Sequence, residues 1–102
     1  MLDTGLSVQT LEQLQNVFRK HPELTEVRLF GSRAMGNYKT GSDIDLAIFG
    51  NFPRLFPAAL KRELDELPSP YRFDVLDYAQ LDQEALKQHI DTYGQAIYGI
   101  RK

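Results

Sequence analysis

An α+β domain is predicted for this chain: a short mixed β-sheet of about three strands with helices on one face, spanning residues 1–102. Three observations predict it. Apolar residues recur at helical spacing in three longer stretches, and short extended apolar runs lie between those stretches. Helix breakers and turn formers fall at the boundaries, at His21-Pro22, Gly31-Ser32, Gly50-Asn51 and Pro68-Ser69-Pro70. A chain of 102 residues, 42% hydrophobic and 25% charged, suits one modest core, and no repeat or low-complexity linker divides it.

The elements follow in the order αβ(α)βαβα. Ser7 or Thr10 caps a first helix whose Leu11, Leu14 and Phe18 recur at helical spacing until His21-Pro22 stops it. His21, at that helix end, reads as a partner of the helix dipole. A strand at Glu26–Phe30 leads into the Gly31-Ser32 turn, and a single helical turn can follow through Met35. The stretch from Gly36 to Gly41 has no apolar period and reads as a loop before the strand Asp43–Phe49. A helix from about Arg54 to Leu67 then places Leu55, Phe56, Ala59, Leu60 and Leu64 on one side, and Pro68-Ser69-Pro70 ends it. The strand Tyr71–Asp77 follows, and Asp82 caps a last helix carrying Ala85, Leu86, His89 and Ile90. His89 falls among the apolar positions and reads as a packed histidine. Beyond it, Tyr93, Ile97 and Tyr98 read as core or helix-end packing. Gly94 and Gly99 weaken a helix there, so an aromatic docking segment for another chain is the alternative.

Chemistry enters with Gly31-Ser32, followed ten residues later by Asp43-Ile44-Asp45. The Gly-Ser pair sits where the chain leaves an extended apolar run, so its N–H groups and the Ser32 hydroxyl can turn towards an anion. Side chains alternate along a strand, which puts Asp43 and Asp45 on one face and Ile44, Leu46 and Ile48 on the other. Two carboxylates on one face can share divalent cations. Magnesium is held by one or two carboxylates, waters and substrate phosphates, the ligand set that a phosphate turn beside an Asp-x-Asp strand offers. The pattern should arise by chance in roughly one chain per thousand of this length, so the plainer reading, two ordinary turns with a solvent-facing Asp45, comes second.

A third carboxylate is available in Phe73-Asp74-Val75-Leu76-Asp77. Asp74 and Asp77 differ by an odd number of residues and lie on opposite faces. Phe73 and Val75 mark the core parity, which favours Asp74. Leu76 shares the Asp74 face, and Asp77 stays open as the alternative, with turn formation its other use. The expected active face is the one that no helix covers.

Gly31-Ser32-Arg33-Ala34, Ser42-Asp43-Ile44-Asp45-Leu46 and Phe73-Asp74-Val75 together resemble the minimal nucleotidyltransferases, small members of the DNA polymerase beta superfamily. The similarity runs from Val27 to Asp77, about half the chain. It implies a nucleotidyltransferase fold. It also implies that Gly31 and Ser32 hold a triphosphate, ATP in the usual case, with Arg33 either neutralising a phosphate there or standing solvated at a helix start, and that Asp43, Asp45 and Asp74 bind two Mg2+ ions. Where Met35 stands, members often carry a second basic residue, which bears on phosphate affinity and nucleotide choice. Such subunits are commonly paired with a HEPN-type ribonuclease toxin, which they neutralise by adding AMP to a tyrosine; a hetero-oligomer is the implied assembly.

Composition narrows the partners. A net charge of −2 disfavours a sequence-independent grip on nucleic acid, which is built from phosphate-neutralising Lys and Arg. The chain has no cysteine, its first residues lack a signal-peptide pattern, and no apolar run approaches a membrane span, so the cytoplasm is expected. Lys39 could reach a triphosphate or be simply exposed. The spacing after Gly36 breaks the P-loop motif, whose lysine follows the glycine directly. Two other functional classes remain: a non-catalytic subunit that silences its partner by covering it, and a small-molecule transferase of the aminoglycoside-modifying type.

Overall fold

The computed structural model describes residues 6–36, 43–69 and 71–99. The expected loop at 37–41 with Lys39, the turn residue Ser42, Pro70 and Ile100 lie outside the described residues. The elements run α1 (Val8–Arg19), β1 (Leu24–Phe30), α2 (Ser32–Met35), β2 (Ile44–Gly50), α3 (Phe56–Asp65), β3 (Phe73–Asp77), a 3-10 turn (Tyr78–Gln80), α4 (Glu84–Tyr93) and β4 (Gln95–Tyr98).

One mixed sheet in the order β3-β2-β1-β4 organises the domain. The expected α+β class holds, with four strands where about three were read. The added strand is β4, which pairs antiparallel with β1 from Leu29↔Gln95 to Val27↔Tyr98. Four residues carry too little period to announce a strand. Its order comes from β1 and from α1, where Gln15 donates its Nε2–H to the Ile97 carbonyl at 3.0 Å. Strand β2 pairs antiparallel with β1 and parallel with β3. A parallel pair needs a crossover, and α3 supplies it.

Local chemistry sets the helix ends. Ser7, not Thr10, caps α1, its Oγ accepting the Thr10 N–H at 3.1 Å. Asp82 is not the cap of α4: Gln83 holds that position, without a side-chain hydrogen bond. His21 pairs with Glu63 of α3 at 2.8 Å, a tertiary contact where a helix-dipole role was expected.

The main core lies where Leu14, Val17 and Phe18 of α1 and Leu60 and Leu64 of α3 meet Val27, Leu29, Ile44, Leu46, Ile48, Phe73 and Val75 of the sheet. Helices were expected on that face alone, but α4 crosses the other face. Its Ile90 is buried with Phe30 and Ala47, and Phe49, Leu76, Tyr78, Leu81 and Leu86 pack around them. The apolar stripe of α4 needed a partner, and alternate positions of β1 and β2 supply one. Among the described residues, no helix is long and apolar enough to cross a membrane.

Candidate active site

Three neighbouring strands bring the acidic and glycine motifs to one end of the sheet. Phe30, the last residue of β1, pairs with Asp45, and Asp45 in turn pairs with Asp74 of β3. Asp43 stands one residue before β2 and is exposed, as is Asp74, while Asp45 is half-buried. Asp45 alternates with Ala47 and Asp74 with Leu76, so both carboxylates lie on the α4 face. The face expected to be open is therefore partly covered, and the carboxylates occupy the end that the α4 cluster leaves accessible.

Asp77 has a different use. Its carboxylate accepts the Ala79 N–H at 3.1 Å and caps the 3-10 turn. Register and capping thus place Asp74 beside Asp45 and set Asp77 at the strand exit.

Burial raises the Asp45 pKa above the ordinary aspartate value, and the Asp74 and Asp43 carboxylates raise it further, while His89 acts in the opposite sense. Three carboxylates near enough to oppose ionisation of one of them suit a cation. Hard oxygens of this kind are the ligands that Mg2+ prefers, so the donor set fits a divalent ion. Among the described residues, no three acidic or histidine side chains converge into a preformed cage. Mg2+ does not require one, because waters and substrate phosphates ordinarily complete its shell.

Gly31 is the hinge of the site. Its φ of +81° lies in the left-handed region, and a Cβ built there would collide with Oδ2 of Asp45. The absence of a side chain thus leaves the space that the Asp45 carboxylate fills. The Gly31 N–H is not free to face an anion, as the sequence suggested, because it donates to Nε2 of His89 at 3.0 Å. From sequence His89 reads only as a packed histidine. It does pack, against Phe30 and Tyr93 with ring centroids 6.1 and 5.4 Å away, and it also accepts this bond. The contact joins residues 58 apart in sequence, so no local pattern could announce it.

Arg33 follows the turn but is only 2% exposed, with its guanidinium 4.9 Å over the Tyr71 ring. It stands behind the turn as a buried cation stacked on an aromatic face. Ser32 opens α2.

Known proteins of similar sequence and fold place the whole domain. Residues 12–102 match the family model described as polymerase beta, nucleotidyltransferase. A Haemophilus influenzae protein named "Probable protein adenylyltransferase MntA" is 42% identical over 65 residues, covering 62% of this chain and 56% of that protein. The match thus spans little more than half of that relative's length. Among solved structures, a toxin-antitoxin complex with AMP-PNP superposes with a TM-score of 0.72 at 23% identity, over 94% of this chain and 76% of the other. A complex of tri-AMPylated Shewanella oneidensis HEPN toxin with MNT antitoxin superposes with a TM-score of 0.69 at 21% identity, over 90% and 71%. At those identities the likeness is one of fold.

Proposed function

The chain belongs to the polymerase beta nucleotidyltransferase family, which its residues 12–102 match, and from that premise we propose that it transfers a nucleoside monophosphate, AMP from ATP, to a hydroxyl. The acceptor is a tyrosine of a HEPN-type toxin with which the chain assembles, and the chain acts as the antitoxin. The in-register pair Asp45↔Asp74 beside the Gly31 turn carries this reading. A metal-supported phosphoryl site needs carboxylates on one face next to a turn that can approach phosphates. The choice of a HEPN toxin and of AMP draws support from a solved structure of like fold, a tri-AMPylated HEPN toxin in complex with MNT antitoxin. Residues 1–102 form one domain in this reading, working in the cytoplasm.

In the reaction the acceptor hydroxyl gives up its proton to water, its oxygen bonds to the α-phosphorus, the bond from that phosphorus to the bridging oxygen breaks, and pyrophosphate leaves. Asp43, Asp45 and Asp74 would hold two Mg2+ ions, which when bound lower the pKa of the attacking hydroxyl and offset charge on the leaving group. Asp45 presents its oxygens from the seat that Gly31 leaves empty, which sets the distance between turn and carboxylate. Ser32 holds the triphosphate tail through its hydroxyl. Buried Arg33 contributes positive potential from behind the turn, in a low-dielectric setting where a charge acts further than in water.

The test is to co-express the chain with a HEPN-type partner, supply ATP and Mg2+, and weigh the partner by intact-mass spectrometry. An added AMP mass that disappears with Asp45→Asn supports the reading. A partner that is unmodified yet inhibited equally by wild type and Asp45→Asn would show that the chain acts by covering.

A further inference from the structure

Resting on the transferase reading, we propose that His89 is a positioning residue: its Nε2 pins the Gly31 peptide and thereby sets the triphosphate turn against Asp45. A partly buried peptide N–H needs an acceptor, and the Gly31 N–H has His89 Nε2 at 3.0 Å. Nε2 accepts this bond through its lone pair, in the tautomer that carries the ring proton on Nδ1. The ring is held in place from two sides, edge-on to Phe30 and tilted against Tyr93. Its neighbour Ile90 is fully buried in the cluster with Phe30 and Ala47, which fixes α4 to the sheet.

Gly31 is thus clamped twice. Helix α4 holds its N–H, and the Asp45 carboxylate fills the space on its Cα. Rotation of this peptide would redirect the backbone that leads into Ser32 and press on Asp45. An apolar side chain would serve as well for packing on the α4 stripe. The hydrogen bond to the turn is what calls for an acceptor at this position.

The experiment compares His89→Gln with His89→Met, side chains of equal length of which Gln carries a strong carbonyl acceptor for the Gly31 N–H and Met only a weak thioether one. Three quantities are measured on the full chain: affinity for a non-hydrolysable ATP analogue with Mg2+, amide exchange at Gly31, and Tm. His89→Met is expected to bind the analogue about tenfold more weakly than His89→Gln and to exchange the Gly31 amide faster, while the two share a similar Tm. Equal affinity or equal Gly31 exchange in the two variants would overturn the proposal. A wild-type chain that binds no triphosphate would overturn the transferase reading itself. That result is distinct from wild-type binding which both variants retain, where only the role of His89 fails.

Discussion

Replacing Gly31 by alanine separates a cost in stability from a cost in chemistry. An L residue at φ +81° pays about 1–2 kcal/mol of backbone strain. The added Cβ also meets Oδ2 of Asp45, the far end of a side chain that can turn aside cheaply. Stability should therefore fall by little more than the strain, roughly 4–16 °C in Tm for a domain of this size. Chemistry should suffer more, because Asp45 moves from the place where it faces Asp74, and a displacement near 1 Å can cost about a hundredfold in rate. The contrast is Gly50→Ala, where φ is +152° and the Cβ would meet the main-chain carbonyl oxygen of Glu23. That obstacle cannot turn aside, so Gly50→Ala should lose more stability and, in its folded fraction, keep transfer intact. The assay is urea denaturation of both variants beside AMP transfer to the partner below their melting temperatures. Near-wild-type transfer by Gly31→Ala, or parallel loss of stability and transfer in both variants, would refute the reasoning.

Three further expectations follow from the geometry. The folded pKa of Asp45 is raised, so its ionisation opposes folding; the penalty is absent below the unfolded value and complete above the folded one. Asp45→Asn should therefore raise the Tm of the metal-free protein at pH 7 while abolishing transfer, and thermal melts with and without Mg2+ check this. Asp74→Asn should suppress transfer with little change in Tm, whereas Asp77→Ala should cost about 1 kcal/mol through loss of the 3-10 cap and leave transfer in place. Glu63 is depressed, first by its hydrogen bond from Lys20 and also by that from His21, so it stabilises the fold above its unfolded pKa and ceases to do so as pH falls through the folded value. Glu63→Gln should flatten the acid decline of Tm, and melts across that window measure it.

Helical spacing, breakers and strand alternation made most of the architecture legible. Leu14 and Phe18 on α1, Leu60 and Leu64 on α3, and the opposed parities of Asp45 and Ile44 all lie where period alone puts them. The choice of Asp74 over Asp77 was legible in part, because Phe73 and Val75 mark the core face. These features depend on neighbours a few residues away, and local sequence records such neighbours. The pairing of Asp45 with Asp74, the strand β4, the crossing of α4 over the carboxylate face, the burial of Arg33 and the bond from Gly31 to His89 were decided only by tertiary structure. Most of these bring distant parts of the chain together, and their formation depends on how the elements pack rather than on any period within one element. Sequence could therefore mark which residues are candidates for the chemistry, while the meeting of β1, β2 and α4 at Gly31 determined how closely they are held.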